Sequence, residues 1–151
     1  MKMNRFFLLL ATGFGVGYSP VAPGTLGTLV VIPGYYFLSE NPSPLYEITL
    51  ISFFFLSVWI SENAEIFFGK KDDRRIVIDE MMGFLITMLW IPKTIRFIMI
   101  GFFLFRFFDI LKPFPIRHLE RVKSGFGVVL DDVLAGIYSN ILLHLVLRLW
   151  T

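Results

Sequence analysis

Apolar runs separated by short polar segments are the dominant pattern along this chain. The runs cover residues 26–38, 45–60, 81–91, 95–105 and 133–147. Each is about 11 to 16 residues long, somewhat short of the roughly 20 residues that a helix needs to span a bilayer. Helices of this length can cross a thinned bilayer, stop part-way or pack inside a protein core. We predict an all-α fold, a compact membrane-associated bundle of about five or six short apolar helices.

The polar segments between these runs are predicted to meet on one side of the bundle. If the runs alternate across a membrane, the loops 62–80 and 106–132 share a side with the N-terminus and with the Gly/Pro-rich segment 12–28. That side carries all but three of the 14 Lys and Arg residues. The exceptions are Lys93, Arg96 and Arg148. The positive-inside rule makes the basic side cytoplasmic.

Composition supports a single membrane-associated domain over residues 1–151. The chain is 56% hydrophobic, has a mean hydropathy of +0.71 and contains 18 phenylalanines. A core of this size cannot bury so much apolar surface, so part of it must face lipid or a partner, and we take lipid as the default.

Charge and cysteine content exclude several classes of protein. A net charge of +2 without a basic stripe gives no support for nucleic-acid binding. The chain has no cysteine, which excludes disulfides, thiolate metal sites and the cysteine-phosphatase mechanism.

Two adjacent acidic pairs are the first candidates for chemistry. Asp79 and Glu80 lie in IVIDEMMG, and Asp131 and Asp132 lie in VVLDDVLAG; each pair follows three aliphatic residues and is predicted to open an apolar helix. Helix capping explains one such pair as well as a functional role does. Two pairs against apolar segments favour a functional site, because carboxylates beside lipid are costly. Oxygen donors without cysteine favour Mg²⁺ or Mn²⁺ over zinc.

A third cluster lies in LFRFFDILKPFPIRHLE. Arg106 and Asp109 share a helix face, and two prolines then end the helix. A surface salt bridge at a basic membrane boundary explains this pattern on its own. The functional alternative is a phosphate clamp of Arg106, Lys112 and Arg117, with Asp109 as a further metal ligand or as a base.

The segment GYSPVAPGTLGTL is a candidate anion-binding loop. Its glycines and prolines form a rigid turn that presents backbone N–H groups and the hydroxyls of Ser19, Thr25 and Thr28 at the start of an apolar helix. A helix-packing loop explains the pattern about as well, and no Lys-Ser/Thr follows the glycines as in a P-loop. The run KKDDRR, residues 70–75, is predicted to be a solvated, self-neutralising loop, and His144 a core or lipid-facing residue.

Four segments resemble, in order and spacing, the motifs of the phosphatidylglycerophosphatase A family. They are GFGVGYSPVAPGTLGTL, IVIDEMMGFLIT, FRFFDILKPFPIRHLE and GFGVVLDDVLAG, and the resemblance covers nearly the whole chain except about residues 39–70. One departure is GFGVV at 125–129, where the family more often has two adjacent glycines. Ser19, Pro23, Gly24 and Thr25 match the first motif.

The resemblance implies a Mg²⁺-dependent, all-helical, membrane-associated bacterial phosphatase that converts phosphatidylglycerol phosphate to phosphatidylglycerol. We expect its active site to face the cytoplasm at the inner membrane. The implied catalytic residues are Asp79, Glu80, Asp109 and Asp132. The implied metal ligands are Asp79, Glu80, Asp131 and Asp132. The implied phosphate-binding residues are Ser19, Thr25, Arg106, Lys112 and Arg117.

Two mechanisms and two other classes of function remain open at this point. Either a carboxylate takes the proton from an attacking water, or an aspartate forms a covalent phosphoaspartyl intermediate. The alternatives in function are a phosphatase of another lipid phosphomonoester, such as phosphatidate, and a non-enzymatic cation-binding membrane protein. A phosphatidyltransferase is disfavoured, because the DGx₂AR…Gx₃Dx₃D pattern is absent.

Overall fold

A computed structural model describes residues 2–40, 44–122 and 125–151. Within these residues the chain is all-helical, as predicted, with seven α-helices and no strand. The helices are α1 Arg5–Ala11, α2 Pro23–Leu38, α3 Leu45–Phe68, α4 Ile78–Thr87, α5 Ile95–Leu111, α6 Ile116–Leu119 and α7 Gly125–Trp150, with a 3₁₀ turn at Val16–Tyr18.

Three helices extend at least six residues beyond the apolar runs that predicted them. α3 continues past Ile60 to Phe68 and ends where Gly69 adopts a left-handed conformation with φ +69°. α5 continues past Phe105 to Leu111, and α7 begins at Gly125 instead of Val133. The extensions contain polar residues that hydropathy alone assigns to loops, although several are buried against neighbouring helices. Residues 123 and 124 of the predicted polar segment 106–132 lie outside the described residues.

The longer α7 corrects the predicted position of one acidic pair. Asp79 and Glu80 lie in the first turn of α4, as predicted. Asp131 and Asp132 instead lie about two turns into α7. The backbone groups around them are therefore engaged within the helix, and this pair gains little from a helix N-terminus. Burial between helices has to explain their position.

Helix α4 is the centre of the bundle. All its residues except Glu80 and Ile86 are buried, and it packs against α2, α3, α5 and α7. A ten-residue helix is short for independent stability. Its conformation and orientation therefore depend on the helices that surround it.

Helices α4 and α7 cross in close backbone contact at two glycines. A Cβ atom at Gly136 would lie 2.4 Å from the carbonyl oxygen of Gly83, and one at Gly83 would lie 2.7 Å from the carbonyl oxygen of Asp132. Gly83 follows Asp79 by four positions, and Gly136 follows Asp132 by four. Because four residues make about one helical turn, the crossing brings both acids to the same side of the contact.

The C-terminal end of α4 is held by polar side chains of α7. The Asn140 amide donates hydrogen bonds to the carbonyl oxygens of Thr87 and Leu89, each at 2.9 Å. The His144 Nε2 atom lies 3.2 Å from the Leu89 oxygen. These contacts satisfy carbonyls that a helix end leaves without partners. His144 is thus a half-buried partner of α4 instead of a lipid-facing residue.

Exposed apolar surface agrees with the predicted membrane-associated bundle. By length and composition, α3 and α7 could each cross a membrane; a third of the most apolar window of α3 and half of that of α7 are buried in the protein. Large side chains on their outer faces are exposed, including Phe55 at 61% and Leu149 at 89%. Such a surface is stable against lipid and costly against water.

The first prediction concerns the glycine crossing. Gly136→Ala forces α7 away from α4 and should lower the free energy of unfolding by about 2 kcal/mol in detergent. Gly34→Ala is the control, because its Cβ meets nothing within 4 Å and it also lies in a helix. It should change stability by less than about 1 kcal/mol, in the stabilising direction. Equal thermal unfolding curves for the two variants would show that the crossing is not tightly packed.

Candidate functional site

Three buried carboxylates meet at the start of α4. Ligand oxygens of Asp79, Glu80 and Asp132 all lie within 4.8 Å of one another. Asp79 is only 5% exposed and Asp132 only 3%. We call these three residues the acidic trio. The sequence prediction that the two acidic pairs approach each other is confirmed for these members.

Two oxygens of the acidic trio have no protein partner. Asp79 Oδ1 and Glu80 Oε2 are inaccessible to water and accept no hydrogen bond from any described residue. Burial raises the pKa of Asp79 well above its usual value, and the neighbouring Glu80 carboxylate raises it further. Burial also raises the pKa of Glu80. The acidic trio therefore lacks the positive charge that would stabilise its ionised form.

A divalent cation fits this arrangement. Carboxylate oxygens are the ligands that Mg²⁺ and Mn²⁺ prefer, and the oxygens without partners are those a cation would engage. Buried carboxylates without a nearby positive charge are rare in proteins. Removing each one from water costs on the order of several kcal/mol. The residues present therefore suit the cation that the sequence predicted.

An ion pair between Arg106 and Asp109 lies next to the acidic trio. Arg106 Nη1 is 2.5 Å from Asp109 Oδ2 on one face of α5, with side chains 16% and 11% exposed. Both residues affect Glu80: the Asp109 carboxylate raises the pKa of Glu80, and the Arg106 guanidinium lowers that pKa. Arg106 Nε is buried and has no partner among the described residues. The guanidinium thus keeps a donor for a further ligand.

The first turn of α2 closes the site from a third direction. A Cβ atom at Gly24 would lie 2.5 Å from Glu80 Oε1 and 3.3 Å from Arg106 Nη1. The helix begins after Ala22, which has φ +43° and makes no side-chain capping bond. The first N–H groups of a helix lack partners within it. Gly24 therefore brings a helix N-terminus, which favours anions, against Arg106.

Lys112 and Asp131 form a second ion pair at the same end. Lys112 Nζ lies 2.7 Å from Asp131 Oδ2 and 2.8 Å from Glu120 Oε1. Burial lowers the pKa of Lys112, but the two carboxylates outweigh it and the net shift is upward. Asp131 is therefore ion-paired with Lys112 and is not a member of the acidic trio. Its role as metal ligand and that of Lys112 in phosphate binding stay predictions.

The remaining predicted phosphate ligands differ in position. Thr25 is half-buried beside Gly24. The Ser19 hydroxyl donates to the Val21 carbonyl at 2.9 Å, and the Ser19 carbonyl accepts from Arg74. Arg117 is exposed in α6, and none of the contacts among the described residues joins it to the acidic trio. The roles of all three in phosphate binding stay predictions.

Sequence reasoning missed two residues that support the site. Asn140 was passed over, although an amide within the apolar run 133–147 was a visible sign of a polar contact inside the bundle. Glu120 is the other, because no local pattern indicates that it reaches Lys112.

Comparison with known proteins shows which family the chain belongs to. The model of the family described as Phosphatidylglycerophosphatase A matches residues 9–147. Phosphatidylglycerophosphatase A of Escherichia coli K12 is 36% identical, over 99% of this chain and 88% of its own length. Its namesake from Haemophilus influenzae is 43% identical, over 88% and 83%. A Bacteroides thetaiotaomicron protein, provisionally named a phosphatidylinositol-3-phosphatase, is 41% identical over 95% of both chains. No solved structure matches.

The second prediction concerns the charge of the acidic trio. Asp79→Asn removes one buried carboxylate and should raise the metal-free free energy of unfolding by about 1 kcal/mol or more, because repulsion and desolvation are relieved. Millimolar Mg²⁺ should raise the unfolding temperature of the wild type but not that of this variant. Asp72→Asn removes an exposed carboxylate and should keep the wild-type response. A full Mg²⁺ response in Asp79→Asn would contradict the metal site.

Proposed function

Because the chain belongs to the phosphatidylglycerophosphatase A family, we propose that it hydrolyses phosphatidylglycerol phosphate to phosphatidylglycerol and inorganic phosphate. Membership makes it a phosphoric monoester hydrolase. The observation that carries the proposal is that the matched region contains the acidic trio, Arg106 and the first turn of α2 together. Acids for a cation and donors for a phosphate are what this reaction requires.

Asp79, Glu80 and Asp132 are the residues that would hold Mg²⁺. When bound, Mg²⁺ supplies positive charge beside the phosphate and offsets its negative oxygens. The three residues of this group all offer carboxylate oxygens, and the chain has no cysteine, so the site offers oxygen ligands.

Phosphate binding is assigned to Arg106 and the first turn of α2. Arg106 donates through a planar guanidinium that suits phosphate oxygens, and Asp109 fixes its orientation. The N–H groups of Gly24 and Thr25 and the hydroxyl of Thr25 add neutral donors from the facing helix. Donors from two helices would hold the terminal phosphate in one orientation for in-line attack.

Asp109 is the acid best suited to accept a proton. It lies outside the acidic trio, so a cation held there would not occupy its carboxylate, of which Oδ2 accepts from Arg106. As water attacks phosphorus, Asp109 takes one water proton while the bond from phosphorus to the lipid alcohol oxygen breaks. The alcohol oxygen leaves with a proton from solvent, which balances the hydrolysis. Lys112, paired with Asp131, adds positive charge at the same end of the bundle.

The membrane provides the orientation of the substrate. The acyl chains would stay in the bilayer while the phosphorylated head group enters the polar end of the bundle. Most Lys and Arg residues belong to segments predicted on that end, so we assign it to the cytoplasmic face of the bacterial inner membrane. The apolar helices α3 and α7, which are long enough to cross a membrane, support membrane association.

A second candidate substrate has a specific basis. The Bacteroides relative is named for a phosphoinositide substrate and matches almost the full length of this chain. A phosphatidylinositol 3-phosphate head group presents the same terminal phosphate monoester on a bulkier alcohol. The acidic trio and Arg106 recognise the shared phosphate, so discrimination would depend on the space around the alcohol.

The third prediction tests the reaction. Purified protein in mixed micelles with Mg²⁺ should release inorganic phosphate from phosphatidylglycerol phosphate faster than from phosphatidate or phosphatidylinositol 3-phosphate. Chelation of the cation should abolish release. Asp79→Asn and Asp132→Asn should each lower kcat/KM at least about a hundredfold, because each removes a charge that the reaction uses.

Asp72→Asn is the matched control for this assay, since it removes one carboxylate outside the acidic trio. It should keep the wild-type rate. Faster release from phosphatidylinositol 3-phosphate would transfer the assignment to that substrate. Cation binding without phosphate release from any of these lipids would identify a non-enzymatic cation-binding protein and overturn the proposal.

The fourth prediction concerns the fit between α2 and the site. Gly24→Ala places a methyl group where Glu80 and Arg106 now approach, so kcat/KM should fall at least about tenfold. Gly34→Ala, in the same helix with open space around it, should keep full activity. Mg²⁺-induced stabilisation and phosphate release should be measured on both. Equal activity of the two variants would show that α2 does not shape the site.

A further inference from the structure

A second polar cleft lies between the 3₁₀ turn and the segment that leads into α4. It has a volume of about 290 Å³. Its lining combines a tyrosine, a serine hydroxyl and three cations with a single acid. The lining residues are Gly17, Tyr18, Ser19, Lys70, Asp73, Arg74 and Arg75. We call it the basic cleft.

The basic cleft carries positive charge that the described residues do not neutralise. Arg75 Nε and Nη2 donate to the two carboxylate oxygens of Asp73, at 2.7 and 2.9 Å, so these two charges offset each other. Asp73 is buried, and its pairing with Arg75 holds its pKa below the usual value. Neither Lys70 nor Arg74 lies within ion-pair distance of a carboxylate in the described ranges. The prediction of a self-neutralising loop is therefore wrong for these two residues.

The two arginines of the basic cleft are held in place by the surrounding structure. Arg74 Nη2 donates to the Ser19 carbonyl at 2.8 Å, which fixes its side chain across the cleft. The Arg75 guanidinium lies 3.9 Å from the centre of the Phe68 ring. Asp72, the other acid of the run, does not line the cleft; its backbone N–H donates to Glu65. A guanidinium held in this way suits a phosphate oxygen.

The basic cleft lies at the end of a helix that could span the membrane. α3 ends at Phe68, and Lys70 follows its capping glycine by one residue. Tyr18 is 52% exposed, and its ring packs edge-on against Phe68 at 6.4 Å. Aromatic and basic residues at the end of an apolar helix mark the depth of lipid head groups.

The lining of the basic cleft includes no member of the acidic trio and neither Arg106 nor Asp109. The basic cleft is therefore lined by a separate set of residues from the acidic trio. Ser19, grouped in the sequence with the phosphate ligands, lies in this cleft.

We propose that the basic cleft binds the phosphodiester head group of an anionic phospholipid of the surrounding membrane. Lys70 and Arg74 supply the charge, and Tyr18 contacts the interfacial region of the lipid. The site would retain an anionic lipid next to the enzyme at the same membrane face as the acidic trio. This inference goes beyond the proposed hydrolysis and does not depend on which lipid is the substrate.

The fifth prediction tests this site by lipid binding. Protein in detergent micelles is titrated with phosphatidylserine, which is anionic but is neither the proposed substrate nor its product, and with phosphatidylcholine. Native mass spectrometry counts the bound lipid. Wild-type protein should bind phosphatidylserine in preference, and Lys70→Gln/Arg74→Gln should weaken that binding at least about tenfold. Arg74→Lys should retain most of it, because the charge remains.

Arg5→Gln/Arg121→Gln is the matched control, since it removes two exposed cations predicted on the same side but outside the cleft. It should weaken binding less than twofold. An equal loss in the control would indicate general charge attraction and overturn the proposal. Displacement of the lipid by excess inorganic phosphate, but not by chloride at the same ionic strength, would identify a free-phosphate site and overturn it too. Unfolding temperatures of all variants show whether each is folded.

Discussion

The backbone contact of α4 with α7 is the constraint on which the rest of the structure depends. Gly83 and Gly136 allow the two helices to approach until backbone meets backbone, and any side chain there would separate them. The acids that form the acidic trio lie one turn before these glycines. A site of three carboxylates is thus assembled by two small residues that carry no chemistry themselves.

Burial of the acidic trio opposes stability in the metal-free protein. Asp79 Oδ1 and Glu80 Oε2 are inaccessible to water and have no partner among the described residues, and Arg106 is already bonded to Asp109. A hydrophobic or amide side chain at Asp79 would be less costly in the metal-free protein, which fits the proposed cation site. The same end of the bundle offers Arg106 and the N-terminus of α2 to an anion. Opposite charges next to each other suit a phosphate ester that is bridged to a cation.

The sequence allowed the fold class and the convergence of the polar clusters to be predicted, because hydropathy and charge are local patterns. The ends of the helices were harder to predict from the sequence. Helices α3 and α7 include buried polar residues beyond their apolar runs, so Asp131 and Asp132 lie within a helix instead of at its start. The partner of each acidic residue was not predictable from the sequence either. Which acid joins the acidic trio and which joins Lys112 depends on the rotation of α7 about its axis, which spacing alone does not specify.

Location of the cation is the most direct test of this account. Crystals grown with Mn²⁺ in place of Mg²⁺ would show the ion by its anomalous scattering. The account predicts one strong peak among the carboxylates of Asp79, Glu80 and Asp132, within ligand distance of the oxygens that now lack partners. A peak bound only elsewhere on the protein, or no peak at saturating Mn²⁺, would contradict it.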